Sequence, residues 1–373
     1  MPPHVTLTRC TSYDDADIAA ALAEALAPFD LPGLVIGKTV LLKPNLLAPV
    51  KPDRAATTHP AVVKALARMC LGAGAAGVTI TDSPGGPYNG VYVQQVYRIT
   101  GMADAARESG AEISNDMSHR TVTSNGRELE IISPVLDADV VISVAKLKTH
   151  AFMRFTGAVK NMYGAMPGLV KSQMHSKQPD RAAFADFMVD LYNARKPDLC
   201  VIDGVIGMEG DGPMNGKPKQ ANMILASDDG FAADAIAAQA IGINPALVPI
   251  LAAGVRRGLL DLSPGAIQTP GLPLDEARVA FAPAATQRKL SFFISFKSLL
   301  GFNGRALFPA VNGKCVGCGD CERICPRHVI KIADKRADID LSGCIRCYCC
   351  HEMCRYGAMY LLTKRKIKKR QAR

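Results

Sequence analysis

Nine of the twelve cysteines lie between residues 315 and 354, and their spacing constrains the fold more than any other feature of the sequence. Two runs repeat the pattern C-x2-C-x2-C-x3-C, the first over residues 315–325 and the second over residues 344–354. In this pattern the first three thiolates of a run bind one iron–sulfur cluster, and the fourth binds the other cluster. The spacing therefore predicts two [4Fe-4S] clusters, one held by Cys315, Cys318, Cys321 and Cys354, the other by Cys344, Cys347, Cys350 and Cys325.

Zinc is the alternative occupant of a cysteine cluster. Zinc sites pair two C-x2-C units across a long gap to supply four ligands, whereas each run here is a triplet completed by a distant fourth cysteine. Cys349 stands outside both patterns, and we interpret it as packing beside a cluster rather than ligating one. Residues 308–362 as a whole resemble the bacterial two-cluster ferredoxins, and that resemblance implies a small C-terminal α+β iron–sulfur domain.

Composition excludes several classes of protein. A chain of 373 residues with 48% hydrophobic and 21% charged residues is not disordered and is long enough for two or three domains. No apolar run approaches the ~18 residues of a membrane span, and the first residues, MPPHVTLTRC, lack the apolar core of a signal peptide. We therefore expect a cytoplasmic protein without a transmembrane segment, whose thiols stay reduced.

The net charge of +10 is concentrated at the C-terminus, where the last ten residues carry seven Lys or Arg and no Asp or Glu. A basic run of this kind is usually solvated, and Ile367 is its only strongly apolar residue. The basic tail, residues 363–373, is therefore predicted to be solvated and dispensable for folding. Nucleic-acid binding would rest on this tail alone and is not expected.

Short β-branched runs alternate with helical stretches over the first 285 residues. Runs such as VVISV are apolar at consecutive positions, which is typical of strands covered on both faces. The alternation predicts an α/β domain with a mainly parallel sheet over residues 1–285, followed by a connecting helix or linker over residues 286–307. Residues 151–180 show no clean period and are predicted to form a long loop or lid.

Polar side chains recur where the predicted strands end. Ligands of an open parallel sheet bind beyond the carboxyl ends of its strands, and five strands deliver Lys, Asn, Asp or His there, the last of them ending in Asp228. Two lysines and a histidine share one face of a single strand, which costs stability unless a partner is present. We predict an anion-binding catalytic site formed by Lys43, Asn45, Asp82, Lys146, Lys148, His150, Lys160, Asn161, His175, Asp203 and Glu209.

Several segments of this region resemble the family catalogued as domain of unknown function 362. They are LLKPN (41–45), TTHPAVV (57–63), KLKTH (146–150), TGAVKNMYGAMPG (156–168) followed by Lys171 and His175, and VIDGVIGMEGDGP (201–213). The resemblance covers residues 40–260 and implies the architecture and the choice of site residues, and it names no substrate. Members of this family often carry a two-cluster ferredoxin module.

Together these features predict an iron–sulfur oxidoreductase. Its clusters would exchange single electrons with a donor or acceptor protein, and the strand-end site would bind an anionic small molecule, either a substrate or a cofactor. The lysines would bind charge, and His150 or His175 would donate a proton. Two alternatives remain open. One is a non-catalytic ferredoxin-like electron carrier or assembly and docking factor, and the other is a non-redox enzyme with structural clusters.

Overall fold

The computed structural model describes residues 2–178, 180–287 and 306–371. Most of the predicted connecting helix or linker, residues 288–305, lies outside the described residues. In the part of the chain that is described, no helix combines the length and the apolar character that crossing a bilayer requires.

The first domain is built on one sheet of eight strands. These are β1 (Thr6–Arg9), β2 (Thr39–Pro44), β3 (Gly77–Ile80), β4 (Glu112–Ile113), β7 (Val140–His150), β8 (Arg154–Thr156), β9 (Leu199–Glu209) and β10 (Lys217–Ser227). Their order is β1-β10-β9-β7-β2-β3-β4, and β8 pairs with the end of β7. The five strands from β9 to β4 are parallel neighbours, which confirms the mainly parallel sheet. A separate hairpin joins β5 (His119–Ser124) to β6 (Arg127–Ile132).

Helices cover both faces of this sheet. They are α1 (Asp15–Leu26), α2 (Leu31–Val35), α3 (Pro60–Gly72), α4 (Gly90–Ile99), α5 (Met102–Ser109), α6 (Ser133–Asp137), α7 (Ala158–Asn161), α8 (Val170–Lys177), α9 (Arg181–Ala194), α10 (Gly230–Ala240), α11 (Pro249–Arg256) and α12 (Leu274–Ala277). One core packs α9, α10 and α11 against Leu41 and Val141, and the other packs α1, α3 and α4 against Leu42 and Ile142. Consecutive strand residues therefore alternate between two cores, which explains the continuous apolar runs.

The direction of β10 corrects one prediction. β10 pairs with β9 in antiparallel register, so Asp228, which follows its end, lies at the edge opposite to the carboxyl ends of the parallel strands. The cause is the connection, since only residues 210–216 join β9 to β10. Such a short link permits a hairpin, whereas a parallel neighbour needs a crossover of a dozen or more residues.

Residues 151–180 also differ from the prediction of a loop. They contain β8, α7, a 3-10 turn at Met162–Ala165 and α8, and several of their apolar side chains are buried in the core, among them Phe152, Val159 and Met166. Each element is only three to eight residues long, so no single period extends far enough to be recognised.

The C-terminal module is a small α+β unit, as predicted. It contains β11 (Leu307–Val311), β12 (Ile330–Ala333), β13 (Arg336–Ile339) and β14 (Met359–Thr363), with the short helices α13 (Asp320–Arg323) and α14 (Cys349–Met353) and a terminal helix α15 (Lys364–Gln371). β11 pairs with β14 and β12 with β13, both antiparallel. The helices α13 and α14 each begin within one of the two cysteine runs.

The terminal helix corrects the prediction of a solvated tail. α15 packs against β11 and β14, and the Lys364 ammonium lies 5.8 Å from the centroid of the Phe308 ring. Ile367 is only 7% exposed. The helix thus buries Ile367 on the module while Lys364, Arg365 and Lys366 remain exposed to water.

Candidate active site

The parallel strands β2, β7 and β9 end at one edge of the sheet. Their register sets Lys43 beside Ser143 and Lys146 beside Asp203. Asn161, at the end of α7, reaches the same edge, where its amide donates to the Lys43 carbonyl oxygen at 2.9 Å and to the Ser143 hydroxyl at 3.0 Å. The ends of these three strands and of α7 thus bring predicted site residues together.

Lys43 and Asp82 form a buried ion pair. Lys43 Nζ lies 2.6 Å from Asp82 Oδ1, and Asp82 Oδ2 accepts the Leu46 backbone N–H at 2.8 Å. Burial lowers the pKa of Lys43, and the Asp82 carboxylate opposes that shift. A Cβ on Gly164 would collide with the Asp82 carboxylate, so the 3-10 turn can cover the pair only with glycine at this position. The pair is internally satisfied.

Lys146 is likewise held by partners within the protein. Its ammonium donates to Asp203 Oδ2 and to the Tyr13 hydroxyl, both at 2.8 Å, and Tyr13 donates to Asp203 Oδ1 at 2.8 Å. The His59 ring stacks on Tyr13 with centroids 3.6 Å apart. Burial lowers the pKa of Lys146, and burial with the nearby Asp203 raises the pKa of Tyr13. Lys146 therefore makes its polar contacts with Tyr13 and Asp203 and not with an open site.

Lys148 is buried without a carboxylate beside it. Its ammonium donates to Asn45 Oδ1 at 2.6 Å and to the Ala56 carbonyl at 2.7 Å. Burial, together with the positive charges of Lys160 and Lys146, holds the pKa of Lys148 well below its usual range. Asn45 thus accepts a hydrogen bond from Lys148 and also lies next to the space beyond the strand ends.

A cavity of about 90 Å³, which we call the strand-end cavity, separates this edge of the sheet from the C-terminal module. The sheet edge contributes Asn45, Leu47, Asp82, Ser83, Pro84 and Gly85; residues 160–175 contribute Lys160, Tyr163, Gly164, Gly168, Lys171, Ser172 and His175; the module contributes Ile324, Cys349, Glu352 and Met353. Both domains therefore form its walls.

Two lysines of this wall make no ion pair in the described part of the chain. Lys171 donates to the Ser83 carbonyl at 2.6 Å, to the Ser83 hydroxyl at 3.1 Å and to the Met166 carbonyl at 3.0 Å, all neutral acceptors. Burial lowers its pKa to about 7. The Lys160 ammonium lies 5.4 Å from the Tyr163 ring centroid, and burial lowers its pKa too. Both ammonium groups therefore lie at the cavity without a negatively charged partner among the described residues.

His175 lines the strand-end cavity and has a ring nitrogen without a hydrogen bond. The imidazole stacks on Phe184 with centroids 4.3 Å apart, and burial lowers its pKa to about 3. Its Nδ1 is buried and has no hydrogen-bond partner among the described residues. The ring is therefore neutral and fixed in place, and its Nδ1 lacks the partner that a buried polar atom usually has.

His150 meets a carboxylate of the C-terminal module. Its Nδ1 accepts the backbone N–H groups of Phe152 and Met153 at 3.0 and 3.2 Å, so a neutral ring carries its proton on Nε2. Nε2 lies 3.3 Å from Glu352 Oε1, without the alignment of a hydrogen bond. Burial raises the pKa of Glu352 to about 7, and the nearby Lys160 and Lys148 oppose that shift.

The structure does not bring Glu209 to the strand-end cavity. β9 stays paired with β7 as far as Met208, and the next residue, Glu209, pairs with Lys217 of β10. The Glu209 carboxylate accepts the Ala282 backbone N–H at 2.9 Å. Sequence position at a strand end was misleading here, because β9, like β7, continues past the end of β2.

Two further cavities, both in the module, are lined by the two predicted cysteine sets. The first cysteine cavity contains Cys315, Cys318, Cys321 and Cys354, and the second contains Cys325, Cys344, Cys347 and Cys350. Burial and the neighbouring thiols raise the pKa of Cys321 to about 12, and burial raises that of Cys350. Crowded, buried sulfur donors of this kind are stabilised as thiolates by bound iron, so both donor sets fit a cluster.

Cys349 lines the second cysteine cavity and the strand-end cavity at once. Glu352, three residues further on in α14, faces His150. Nothing in the sequence pointed to Glu352, since it stands in the three-residue spacer of a cysteine run and the spacing says nothing about where that side chain points. Tyr13 and Tyr163 were missed for a similar reason, because neither lies at the end of a predicted strand.

An α/β domain whose strand ends face a ferredoxin-type module with two cysteine sets defines an iron–sulfur protein. Residues 40–239 match the family described as Domain of unknown function (DUF362), and residues 314–358 match the 4Fe-4S dicluster domain. The chain belongs to the DUF362 family, and it carries a ferredoxin-type 4Fe-4S domain at its C-terminal end. The resemblance inferred from the sequence is thereby confirmed.

The chain is also similar to individual proteins. It is 35% identical over 263 residues to a thylakoid-associated protein of Synechocystis sp., covering 69% of this chain and 81% of that protein. It is 52% identical over 46 residues to an uncharacterized protein of Methanocaldococcus jannaschii, covering 12% and 17%. The lactate racemase apoprotein of Thermoanaerobacterium thermosaccharolyticum superposes with a TM-score of 0.41 at 16% identity, and the match covers 61% of this chain and 57% of the racemase.

Proposed function

We propose that this protein is a cytoplasmic iron–sulfur oxidoreductase that binds two [4Fe-4S] clusters and acts on an anionic substrate or cofactor in the strand-end cavity. When bound, the clusters supply single electrons, received from a separate donor protein or passed to an acceptor. The proposal combines a redox module, supported by the ferredoxin-type domain, with a basic cavity in the α/β domain.

The observation that carries the proposal is the shared wall between cavities. Cys349 borders both the second cysteine cavity and the strand-end cavity. Cys349, which stands between the assigned ligands Cys347 and Cys350, thus borders the cavity that Lys160 and Lys171 line. A ligand in the strand-end cavity would lie next to the second cluster, and buried lysines would hold its charge.

The chain's own residues take distinct roles in this proposal. Lys160 and Lys171 bind the anion. Neutral His175, with its unsatisfied Nδ1, orients it by hydrogen bonding. Lys43 and Lys146, each in a buried ion pair, hold the edge of the sheet in position. Glu352 and His150 join the module to that edge.

A second candidate is an electron carrier in which the α/β domain is a docking platform. The internally satisfied pairs Lys43–Asp82 and Lys146–Asp203 favour it, because such pairs need no ligand. The two functions differ in what an anion does to the clusters. An anion bound beside a cluster lowers its reduction potential, since reduction adds a negative charge nearby.

The test is an anaerobic potentiometric titration of the full chain, followed by electron paramagnetic resonance, with and without glutarate as the probe anion. The oxidoreductase proposal expects one of two cluster signals to shift to lower potential with glutarate, and the shift to disappear in Lys160→Ala. A carrier would show unchanged potentials. Clusters that resist reduction by dithionite would favour the remaining alternative, a non-redox enzyme with structural clusters.

A further inference from the structure

Three lysines around the strand-end cavity, of which two are buried and one is half-buried, lack a counter-charge. In the described ranges, Lys148, Lys160 and Lys171 form no ion pair, whereas Lys43 and Lys146 each do. A buried charge without a partner is costly. The three are packed into one region, because Lys160 contributes to the electrostatic surroundings of both other lysines.

One carboxylate at the cavity, that of Glu352, lies 3.3 Å from His150 Nε2. Asp82 also borders the cavity, but it is neutralised by Lys43 at 2.6 Å. Lys160 and Lys171 line the cavity too, and in their protonated form they are two cations without an ion-pair partner among the described residues. A ligand bearing two negative charges would balance them, whereas a single charge would leave a buried excess.

Apolar side chains also line the strand-end cavity. Leu47 and Pro84 come from the sheet edge, and Ile324 and Met353 come from the module. A ligand with an apolar body would cover these side chains and exclude water from the lysines, which strengthens their attraction for its charges.

A third observation points to a ligand oxygen. His175 is 5% exposed, and its buried Nδ1 has no hydrogen-bond partner in the described part of the structure. Its ring borders the cavity and is fixed against Phe184. Buried polar atoms are seldom left unpaired in a functioning protein, so a group from the ligand should complete this one.

We infer that the strand-end cavity binds a small organic dianion, whose negative groups contact Lys160 and Lys171 and whose apolar body packs on Leu47, Ile324 and Met353. This inference rests on the proposed function for the place of the ligand and adds its charge and its shape. The two charges can come from a dicarboxylate or from a phosphate monoester, which share this chemistry.

Calorimetric titration of the anaerobic full chain with four probes tests the inference. Glutarate is a dicarboxylate with an apolar chain, pentanoate has the same length with one charge, sulfate has two charges without a body, and phenyl phosphate is a monoester. Glutarate or phenyl phosphate should bind at least about tenfold more tightly than pentanoate and sulfate, because a lost charged contact costs that much or more. The tighter of the two identifies the source of the charge.

Variants locate the binding. Lys160→Ala and Lys171→Ala should each lower the affinity for the tighter-binding dianion by about tenfold or more. Lys160→Arg and Lys171→Arg should retain much of that affinity. The matched control is Lys196→Ala, a half-exposed lysine before β9 at the opposite edge of the sheet. Melting temperature and cluster absorbance report whether each variant is folded.

Pentanoate binding as tightly as glutarate would overturn the inference, as would dianion affinities that neither lysine variant changes, or no binding of any of the four probes. A failure of this inference can be distinguished from a failure of the proposed function. A dianion that binds through Lys160 without shifting a cluster potential would leave this inference standing and refute the oxidoreductase. If pentanoate shifted the cluster potential as much as glutarate does, this inference would be refuted and the oxidoreductase proposal would stand.

Discussion

Glu352 Oε1, in the iron–sulfur module, lies 3.3 Å from His150 Nε2 at the end of the central strand of the α/β domain. The His150 side chain is buried and that of Glu352 is 12% exposed, and the positive charges of Lys148 and Lys160 act on Glu352. The module therefore contributes a carboxylate to the region of Lys148 and Lys160, which form no ion pair among the described residues. The two domains share one electrostatic site, which is the physical reason to treat them as a single functional unit.

Anion binding should depend on pH through Lys171. Burial lowers its pKa to about 7, with Asp82 opposing the shift and the charges of Lys43 and Lys160 adding to it. The lysine is charged below that pH and neutral above it. Glutarate affinity measured by calorimetry should thus fall as the pH rises from about 6 to about 8, approaching tenfold per unit at the upper end.

Lys171→Arg is the control for this pH dependence, since a guanidinium remains charged throughout the range. Its affinity profile should be flatter than that of the wild type. A profile with the same slope in Lys171→Arg would assign the titration to another group.

The clusters give a prediction on stoichiometry. Anaerobically prepared protein should contain about eight irons per chain with a matching amount of acid-labile sulfide. Cys349→Ser should leave the iron content unchanged, because the second cysteine cavity already contains four other cysteines. Cys350→Ser is the comparison and should lose iron from one cluster.

Loss of half the iron in Cys349→Ser would instead make Cys349 a ligand. Tightly bound zinc without sulfide would refute the assignment of clusters altogether.

The cysteine spacing and the alternation of strands and helices were sufficient to predict both domains, because ligand spacing and burial on two faces are local properties of the chain. The direction of β10 and the place of Glu209 were not predictable in this way, since both depend on how β9 and β10 pair with each other in the sheet. Glu352 was out of reach for a different reason. Its role comes from the packing of α14 against the α/β domain, which no local pattern encodes.

The buried contacts of Lys146 were also not predictable from its position in the sequence, and they should matter for stability. The sequence suggested that it binds the ligand, but the structure pairs it with Asp203 and Tyr13. Lys146→Ala would leave a buried carboxylate without its cation, so the free energy of unfolding in denaturant should fall by about 3–5 kcal/mol. Lys196→Ala should change it by no more than about 0.5 kcal/mol. A normal stability with lost glutarate binding would return Lys146 to the binding site.

The terminal helix should contribute to the stability of the module. Ile367 is the buried side chain by which α15 packs on β11 and β14. Ile367→Ala should lower the free energy of unfolding by about 1–3 kcal/mol, measured by thermal or denaturant unfolding, while the iron content remains unchanged. The exposed Lys366 supplies the control, since Lys366→Ala removes no buried surface. Equal stability of the two variants would show that the helix does not need its apolar contact.

The central claim, that an anion in the strand-end cavity lies beside the second cluster, is tested most directly by electron–nuclear double resonance. The reduced protein would be saturated with carbon-13-labelled glutarate, with saturation established by calorimetry. The account predicts a resolved carbon-13 coupling to a cluster spin in the wild type and its loss in Lys160→Ala. Saturated binding without any such coupling would contradict the account, because the bound anion would then lie away from both clusters.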